Sequence, residues 1–401
     1  MSVKARSRGT VGIGMVGYEF MGRAHSHAWR NVASVFPLRV VPRMVALSGR
    51  DEVAVTEAAS QLGWDEAVTD WRCLVERDDI SVIDICTPGF AHEEIAIAAL
   101  EAGKHVLCEK PLANTLAQTK SMAEAAARAE AGGVRAMVGF NYRRAPALEL
   151  ARRLISEGAI GDIRHVRAAY LQDWAADQEA PLVWRFESEY AGSGALGDIG
   201  SHIVDISQHL LDQHVSGVSA LTETFVKTRK RVGGDGSAPV TVDDLALFVA
   251  RFTGGATGSF EATRVASGRK NSMRIEIDGE SGGLAFDLER LNELALYDQD
   301  ASPDRRGFRT VLVSEESHPW LSAWWPPGHM LGWEHTFTHQ AHDFLRAIDQ
   351  GTNPAPSFAD GLQVQVVLDS VLASAREGRW LDVPPVKGMP ESPAFEKEQP
   401  A

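Results

Sequence analysis

The stretch VGIGMVGYEFMG, residues 11–22, lies near the start of the chain and decides the fold. Glycines spaced as G-x-G-x-x-G occur at residues 12–17, and again at residues 17–22 with Glu19 in place of the middle glycine. A dinucleotide-binding turn follows a strand and opens a helix. Only the second register leaves a strand, residues 11–16, in front of the turn, so we predict the turn at residues 17–22. Glu19 departs from the pattern, because a carboxylate there repels phosphate unless its side chain points away.

Short Val- and Ile-rich runs alternate with Ala-rich amphipathic stretches up to about residue 141. The predicted strands are residues 11–16, 44–48, 82–86, 105–108 and 136–140, with helices such as residues 92–102 and 115–131 between them. Because most of these runs are continuously apolar, they are typical of parallel strands that helices cover on both faces. The sequence therefore predicts an α/β fold with an N-terminal Rossmann dinucleotide-binding domain over residues 1–141.

The pattern changes after Arg144. A predicted helix precedes runs in which apolar and polar residues alternate, which is typical of antiparallel strands with one solvent-facing side. The helix is residues 146–156, and the runs are residues 163–171, 246–252, 257–262 and 273–278. We predict a C-terminal α+β domain with a large open, mostly antiparallel sheet over residues 142–386, which binds substrate and mediates assembly into a homodimer or homotetramer. A Pro- and Glu-rich tail, residues 387–401, is predicted to be disordered.

The composition is that of an ordinary globular protein. The chain has 401 residues, 44% of them hydrophobic and 23% charged, which excludes collagen-like, coiled-coil and largely disordered proteins. Its 40 basic and 54 acidic residues give a net charge of −14, which argues against partners such as nucleic acid or an anionic membrane. Cys73, Cys86 and Cys108 lack the count and spacing of a disulfide framework or a zinc site. We find neither a signal peptide nor a membrane-spanning stretch, and therefore expect a cytoplasmic protein with reduced thiols.

The end of the second predicted strand bears on the choice of nicotinamide cofactor. An acid at this place binds the ribose 2′-hydroxyl of NAD, whereas an arginine accepts the 2′-phosphate of NADP. The sequence has Gly49 where the acid is customary, followed by Arg50 and Asp51. Arg50 favours NADP and Asp51 keeps NAD open. An interpretation of Arg50 as a solvated residue at the start of a helix has equal weight, so the cofactor is predicted as NAD or NADP.

Two further segments carry residue types suited to catalysis. Lys110 lies in the sequence CEKP directly after a predicted strand, and thus at the carboxyl edge where open α/β sheets bind ligands. Asp198 and His202 follow a Gly-rich loop and are four residues apart, so they share one face if a helix starts there, and Asp198 could cap that helix. The alternatives are surface solvation for Lys110 and a structural role for the Asp/His pair.

Four motifs together resemble the Gfo/Idh/MocA family of oxidoreductases. They are the turn at residues 17–22, Thr87-Pro88 with His92, Glu109-Lys110-Pro111, and Gly197-Asp198-x-x-x-His202. The resemblance extends from about residue 11 to about residue 385. Within the family the chain is similar to levoglucosan dehydrogenase-like and inositol dehydrogenase-like proteins, through residues 141–144, 170–174, 184–186, 305–310 and 356–361.

The resemblance implies a role for each candidate residue. It makes His202 the general base that takes the proton of a ring hydroxyl, Lys110 the cation that holds that oxygen, and Asp198 the partner of a neighbouring hydroxyl. This arrangement is chemically sensible, because hydride leaves a carbinol carbon readily only as its O–H is deprotonated. The implied cofactor-binding residues are Gly17, Phe20, Met21, Gly22, Arg50, Thr87, Pro88, His92, Glu109 and Lys110. The implied substrate-binding residues are Tyr142, Arg143, Gln172, Trp174, Trp184, Arg185 and His335.

The candidate substrate residues, together with Tyr170, are mostly aromatic or polar. Such side chains suit a neutral polyol ring, which offers C–H faces for stacking and a rim of hydroxyls. For each single tryptophan, a place in the core or at an interface is an equal alternative. The spacing of His335, His339 and His342 on one helical face could suggest a metal site, but the resemblance treats that segment largely as scaffold. We expect no metal, because Lys110 would supply the electrophilic help that zinc gives other alcohol dehydrogenases.

The predicted function is that of an NAD(P)-dependent oxidoreductase. It would transfer hydride between the nicotinamide and a ring hydroxyl of a sugar, an anhydrosugar such as levoglucosan, or a cyclitol such as inositol. One alternative is an NAD-dependent glycoside-cleaving enzyme that oxidises the sugar ring transiently. Another is a non-catalytic sugar- or cofactor-binding regulator, against which the intact Lys110 and His202 argue.

Overall fold

A computed structural model describes residues 9–233 and 236–386 of the chain. The predicted disordered tail, residues 387–401, lies outside the described residues. The chain forms two compact units. Within the described chain, the first unit contains residues 9–113, Ala117–Arg144 and Gly332–Gly361, and the second contains Asn114–Leu116, Ala145–Leu331 and residues 362–386.

The first unit is built on a parallel sheet of six strands in the order β3-β2-β1-β4-β5-β6. Its strands are β1 (Gly9–Val16), β2 (Val40–Ser48), β3 (Glu66–Val68), β4 (Val82–Ile85), β5 (His105–Cys108) and β6 (Ala136–Val138). The helices of this part of the chain are α1 (Phe20–Val35), α2 (Glu52–Leu62), α3 (Arg72–Glu76), α4 (His92–Glu101) and α5 (Leu116–Glu130). This strand order is that of the Rossmann fold, and its topological switch point lies between β1 and β4. The predicted class of the N-terminal domain is confirmed.

The glycines at the start of the chain divide between two structural tasks. Gly12 and Gly14 lie inside β1, where a Cβ on Gly12 would be 1.8 Å from the carbonyl oxygen of Asp79. Gly12 is therefore required for close packing of the strand against the backbone of Asp79. The turn itself falls after Val16 and α1 begins at Phe20, so the predicted register at residues 17–22 is confirmed as the strand–turn–helix junction.

The second unit is built on a mixed sheet of nine strands in the order β16-β15-β14-β13-β7-β12-β11-β8-β17. Only the β7–β12 pair in it is parallel. The elements described in this part of the chain are α6 (Pro146–Ser156), β7 (Ile163–Leu171), α7 (Ser188–Ala191), α8 (Ser201–Leu211), β8 (Val215–Glu223), β9 (Thr228–Lys230), β10 (Ser237–Pro239), β11 (Leu245–Phe252), β12 (Thr257–Thr263), β13 (Ser272–Gly279), β14 (Gly282–Asp287), β15 (Glu293–Asp298), β16 (Arg309–Leu312) and β17 (Leu381–Asp382). The predicted large, mostly antiparallel sheet is confirmed.

Among the residues that the structure describes, helices cover one face of this sheet and the other face is open. Helices α6 and α8 pack on the sheet, and β11 alternates accordingly, with Ala246, Phe248 and Ala250 buried. Its intervening residues Leu247 and Val249 are exposed. A shallow depression of about 560 Å³ lies on this open side, lined by side chains that include Leu247 and Arg274. The sheet thus presents a mixed apolar and charged surface.

The chain returns to the first unit after residue 331. Helix α9 (His335–Gln350) buries Phe337 and Phe344 and packs against α1, and α10 (Phe358–Glu377) follows. The prediction of one continuous second domain over residues 142–386 therefore differs from the compact units, since the apolar face of α9 is completed by the Rossmann unit. None of the described helices is both long and apolar enough to cross a membrane.

Candidate active site

The glycine turn forms a cradle that only small residues can line. Gly17 has φ +100°, and a Cβ there would lie 2.8 Å from the carbonyl oxygen of Cys86. A Cβ on Gly22 would lie 2.2 Å from the carbonyl oxygen of Gly17. Glu19 precedes α1 without capping it and is exposed. The first N–H groups of α1 therefore need another acceptor, and a pyrophosphate at a helix N-terminus supplies one. The turn fits a bound dinucleotide.

The end of β2 is shaped by the ring of Tyr18. A Cβ on Gly49 would lie 2.1 Å from Cε1 of Tyr18, so an acid at this position would require the Tyr18 ring to move. Asp51 caps α2, accepting the N–H of Ala54 on Oδ1 at 2.9 Å. Arg50 is exposed between them. One carboxylate oxygen of Asp51 thus accepts a hydrogen bond from α2, while Arg50 is exposed to solvent.

Lys110 follows β5 at the carboxyl edge of the sheet, as predicted, and is half-buried. The preceding Glu109 is buried, and its Oε2 accepts the backbone N–H of Lys110 at 3.3 Å. Its Oε1 lies 3.0 Å from Nε2 of His25. Glu109 was predicted to bind cofactor, but in the structure its two carboxylate oxygens contact other protein groups beneath the Lys110 loop.

His92 links two loops at this edge. Its Nε2 lies 2.8 Å from the carbonyl oxygen of Thr87, and its Nδ1 lies 3.2 Å from those of Pro111 and Leu112. The ring is buried, and burial lowers the pKa of His92. Because both ring nitrogens face backbone carbonyls, the geometry favours a positioning role over the predicted contact with cofactor.

Asp198 and His202 lie at the junction of two helical turns in the second unit. Leu196–Gly200 forms a π-turn and His202 is in the first turn of α8, so Asp198 is not the helix cap that its position suggested. The preceding loop is held by the buried Asp243, whose carboxylate accepts the N–H groups of Gly194 at 2.7 Å and Leu196 at 2.8 Å. Burial raises the pKa of Asp243. Single π-turns inside helices are frequent at functional sites.

A buried arginine that sequence reasoning missed supports Asp198. Nη1 of Arg264 lies 3.5 Å from Oδ2 of Asp198, with the two side chains 1% and 29% exposed. The Arg264 guanidinium also lies over the rings of Trp174, at 5.0 Å, and Phe186, at 5.6 Å. The guanidinium of Arg264 thus contacts both the predicted substrate residue Trp174 and the predicted catalytic residue Asp198.

A hydrogen-bonded row connects Trp174 to the surroundings of His202. Nε1 of Trp174 donates to Oε1 of Gln172 at 3.0 Å, and Nε2 of Gln172 donates to Oδ1 of Asn271 at 2.8 Å. The hydroxyl of Tyr170 donates to the same Asn271 oxygen at 2.7 Å. The Tyr170 and His202 rings lie 5.9 Å apart. The structure therefore brings Gln172, Trp174 and His202 into one region, and adds Asn271, which sequence reasoning missed.

The remaining predicted substrate residues separate into two groups. Trp184 and Arg185 share a 3₁₀ turn in the second unit, with the guanidinium 4.4 Å from the Trp184 ring centroid. In the first unit, Arg143 is buried and paired with Asp360 at 3.3 Å. The buried Tyr142 accepts Nε1 of Trp333 at 3.2 Å, and Nδ1 of His335 accepts the N–H of Gly332 at 3.0 Å. These interactions stabilise the scaffold, and the roles of the three residues toward substrate stay predictions.

The histidines of α9 take part in packing. Nδ1 of His339 lies 3.0 Å from the carbonyl oxygen of Arg144, and burial lowers the pKa of His339 to about 3. The His342 ring lies 4.2 Å from the ring of Phe36. The row of His335, His339 and His342 therefore has structural contacts, in keeping with its interpretation as scaffold.

A chain that contains a Rossmann unit with a cofactor-compatible glycine turn and a sheet-based unit with an Asp/His pair fits the class of dinucleotide-dependent oxidoreductases. Comparison with protein-family models agrees. Residues 11–140 match the oxidoreductase family with a NAD-binding Rossmann fold, and residues 148–285 match the GFO/IDH/MocA C-terminal domain. The chain belongs to the GFO/IDH/MocA oxidoreductase family.

Two similar proteins are named as dehydrogenases of a sugar and of a cyclitol. Levoglucosan dehydrogenase of Pseudarthrobacter phenanthrenivorans is 43% identical over 93% of this chain and 98% of its own length. Inositol 2-dehydrogenase of Rhizobium meliloti is 24% identical over 93% of this chain and 99% of its own length.

Solved structures extend the likeness. An oxidoreductase domain protein from Kribbella flavida has a TM-score of 0.92 and 57% identity, covering 94% of this chain and 100% of its own. Levoglucosan dehydrogenase in complex with NADH and levoglucosan has a TM-score of 0.90 and 43% identity, covering 94% and 99%. The predicted family, fold class and activity class, a nicotinamide-dependent dehydrogenase, are confirmed.

Proposed function

We propose that this protein oxidises a ring hydroxyl of a small neutral sugar, with an anhydrosugar of the levoglucosan type as first candidate. The observation that carries the proposal is the row of Trp174, Gln172, Asn271 and Tyr170 that ends beside His202. Indole, amide and phenol groups suit the C–H faces and hydroxyl rim of a sugar ring. The likeness to levoglucosan dehydrogenase over nearly the whole chain supports the same substrate class.

We propose that His202, Lys110 and Asp198 act on the hydroxyls of the substrate. His202 accepts the proton of the reacting hydroxyl, and Lys110 stabilises the negative charge that develops on its oxygen. Asp198 accepts a hydrogen bond from a neighbouring hydroxyl and keeps its orientation through Arg264. When bound, the nicotinamide supplies the hydride acceptor. Gly17, Phe20, Met21 and Gly22 would hold its pyrophosphate side at the N-terminus of α1.

We further propose that the enzyme accepts NADP as well as NAD. Arg50 is exposed at the end of β2, Gly49 carries no side chain, and the carboxylate of the following Asp51 accepts the N–H of Ala54 in the cap of α2. The solved levoglucosan dehydrogenase structures contain NADH, which supports NAD as one cofactor of this chain. Charge-assisted bonds to Arg50 would then add affinity for NADP.

The open face of the nine-stranded sheet supports a homodimer or homotetramer. Leu247 and Val249 are exposed on β11, the third strand from the β17 edge of the sheet, and the charged Arg274 lines the same open side. A second copy of the chain would remove this apolar area from water. Light scattering that shows a stable monomer at micromolar concentration would contradict this assembly.

The location proposed for the enzyme is the cytoplasm. Cys73, Cys86 and Cys108 are all unpaired, and the latter two are buried. Free thiols persist in a reducing compartment. Recovery of the protein from a periplasmic or secreted fraction would contradict this location.

Activity is tested by incubating purified protein with levoglucosan, inositols, glucose and aryl glycosides, each with NAD and with NADP. The absorbance of reduced nicotinamide reports net oxidation. We expect steady cofactor reduction with levoglucosan or a related ring. Release of the aglycone without net reduction would indicate a glycoside-cleaving enzyme instead, and binding without turnover would indicate a regulator.

A further inference from the structure

Three buried ionisable side chains meet beneath the Lys110 loop. His25, Asp84 and Glu109 are 2%, 0% and 3% exposed. Nδ1 of His25 lies 3.0 Å from both carboxylate oxygens of Asp84, and Nε2 lies 3.0 Å from Oε1 of Glu109. The imidazole therefore lies between two carboxyl groups, one on β4 and one directly after β5.

The geometry constrains the protonation of His25. An ionised carboxylate only accepts hydrogen bonds, whereas a neutral imidazole has a single N–H. A neutral ring would leave a nitrogen lone pair facing a carboxylate oxygen, and a doubly protonated ring makes a charge-assisted bond on each side. The imidazolium also offsets one of two buried negative charges, which are costly without a partner.

The groups around the ring agree with this state. Burial is the largest single influence on the pKa of His25 and lowers it, but the attraction of Asp84 and the neighbouring Cys86 together raise the pKa well above its usual value. Asp84 accepts Nε1–H of Trp29 at 2.6 Å and the thiol of Cys86 at 3.6 Å, so its oxygens face donors. Burial raises the pKa of Cys86, which keeps that group an uncharged thiol. The Phe337 ring, 5.4 Å away, covers the ring of His25.

The three side chains join the elements that carry the proposed cofactor and catalytic groups. His25 is on α1, the helix that opens at the glycine turn. Asp84 is on β4, at the topological switch point. Glu109 directly precedes Lys110 and accepts its backbone N–H at 3.3 Å. Any displacement of His25 therefore changes the support of the Lys110 backbone.

We propose that His25 is a buried imidazolium that acts as a positioning residue for Lys110, by holding Glu109 against the cofactor-binding helix. The assignment rests on the proposed function for its kinetic consequence, and on the geometry of the first unit alone for its charge state. A misplacement of a catalytic group by about 1 Å costs on the order of 10²-fold in rate. The loss of this support should therefore lower kcat far more than it weakens cofactor binding.

A metal ion is the rival occupant. Ligand atoms of His25, Asp84 and Cys86 lie within 4.8 Å of one another. Two contacts argue against a metal ion. The uncharged thiol of Cys86 and the Nε1–H of Trp29 both donate hydrogen bonds to Asp84, whose oxygens would have to face the metal. If the purified protein contains stoichiometric metal and His25→Gln loses it, the assignment of His25 as an imidazolium is wrong.

The variant for the test is His25→Gln, with His27→Gln as its matched control. His27 is exposed on the same helix, so the control repeats the chemical change without the network. In His25→Gln we expect kcat to fall about 10- to 100-fold while the cofactor Kd changes by less than about threefold. An unchanged kcat, or an equal loss in cofactor affinity, would overturn the positioning role.

Two measurements need no substrate and so remain informative if the proposed activity fails. Amide exchange at Lys110 should speed up in His25→Gln and not in the control, since its acceptor Glu109 loses its tether. The stability of the wild type relative to His25→Gln should also depend on pH. A raised folded-state pKa gives stabilisation that is complete below the unfolded pKa, about 6.5, and is lost as pH rises through the folded pKa.

Urea unfolding at a series of pH values measures this advantage. The ratio of the folding equilibrium constants, wild type over His25→Gln, should fall about tenfold per pH unit from pH 6.5 up to the folded-state pKa of His25. A ratio that stays constant above that pH would show a neutral ring and overturn the charge assignment. Should His25→Gln fail to fold, Glu109→Gln keeps the size and the acceptor for Lys110 but removes one charge. Glu109→Gln should lower kcat. It should also lower the folded-state pKa of His25, so that the pH-dependent loss of stability ends at a lower pH than in the wild type. Wild-type kcat together with a wild-type pH dependence of stability would overturn the proposal.

Discussion

Neutralising Asp198 should destabilise the folded protein, even though Asp198 is proposed to serve the substrate. Groups at an active site are often held at some cost in stability, so that their removal is neutral or favourable. Here the carboxylate lies 3.5 Å from a guanidinium that is 1% exposed. Asp198→Asn would leave that buried cation without its carboxylate partner, and uncompensated buried charge is costly.

The size of the effect follows from the other partners of Arg264. Its guanidinium donates to the carbonyl oxygens of Arg185 and Asp243 at 3.4 Å, and both bonds survive the substitution. The lost contact with Arg264 is charge-assisted, and a contact of this kind contributes about 1.5–3 kcal/mol in general. Asp198 is 29% exposed, so solvent screening reduces that figure. We expect a loss of about 1–2 kcal/mol, or roughly 2–8 °C in Tm for a unit of this size.

Thermal unfolding followed by circular dichroism measures the loss. Glu179→Gln is the matched control, because Glu179 pairs with Lys230 at 2.5 Å and both side chains are largely exposed. Such a surface pair contributes little. In an Arg264→Met background, Asp198→Asn should cost much less than in the wild type, since the cation is gone. A Tm for Asp198→Asn equal to or above that of the wild type would refute the reasoning.

Three further predictions concern the proposed roles. His202→Ala and Lys110→Ala should each lower kcat on the order of 10²–10⁴-fold, with cofactor Kd almost unchanged in a fluorescence titration; near-normal turnover would send the search for the base elsewhere. Arg50→Ala should weaken NADP binding by about 10- to 100-fold and NAD binding little, and an equal loss for both would exclude contact with the 2′-phosphate. Glu19→Gly should change cofactor affinity only slightly, because the side chain is exposed in front of α1; a large gain would reveal a carboxylate that repels phosphate.

Two elements with a strong hydrophobic period were predicted to the residue. Helix Pro146–Ser156 and strand Ile163–Leu171 begin and end where the sequence pattern placed them. Strand β3 was not predicted, since Glu66–Val68 is three residues long and none of them is buried. The return of α9 to the first unit was also missed, because an amphipathic helix shows that it needs a partner but not which partner it has.

Some residues of the candidate site could be predicted from the sequence and others could not. Trp174 and Gln172 could be singled out because they belong to a segment that carries the family resemblance and because an indole and an amide suit a sugar ring. Asn271 could not, since its link to Tyr170 spans 101 positions and depends on the pairing of β7 with β13. Arg264 directly follows β12 and in the sequence resembles any solvated arginine at a strand end. Long-range partners of this kind follow from sheet topology, which local patterns do not contain.

Asp84 is different, because the sequence did carry a signal for it. It occurs inside the run VIDI, in a strand buried on both faces, where every side chain leaves water. A carboxylate in such a place needs donors, since an unpartnered buried charge costs several kcal/mol. The donors had to come from a neighbouring element, and the helix that opens at the glycine turn offers His25 and Trp29. A charged residue within a doubly covered strand is therefore the observation from which the buried network beneath Lys110 could have been predicted.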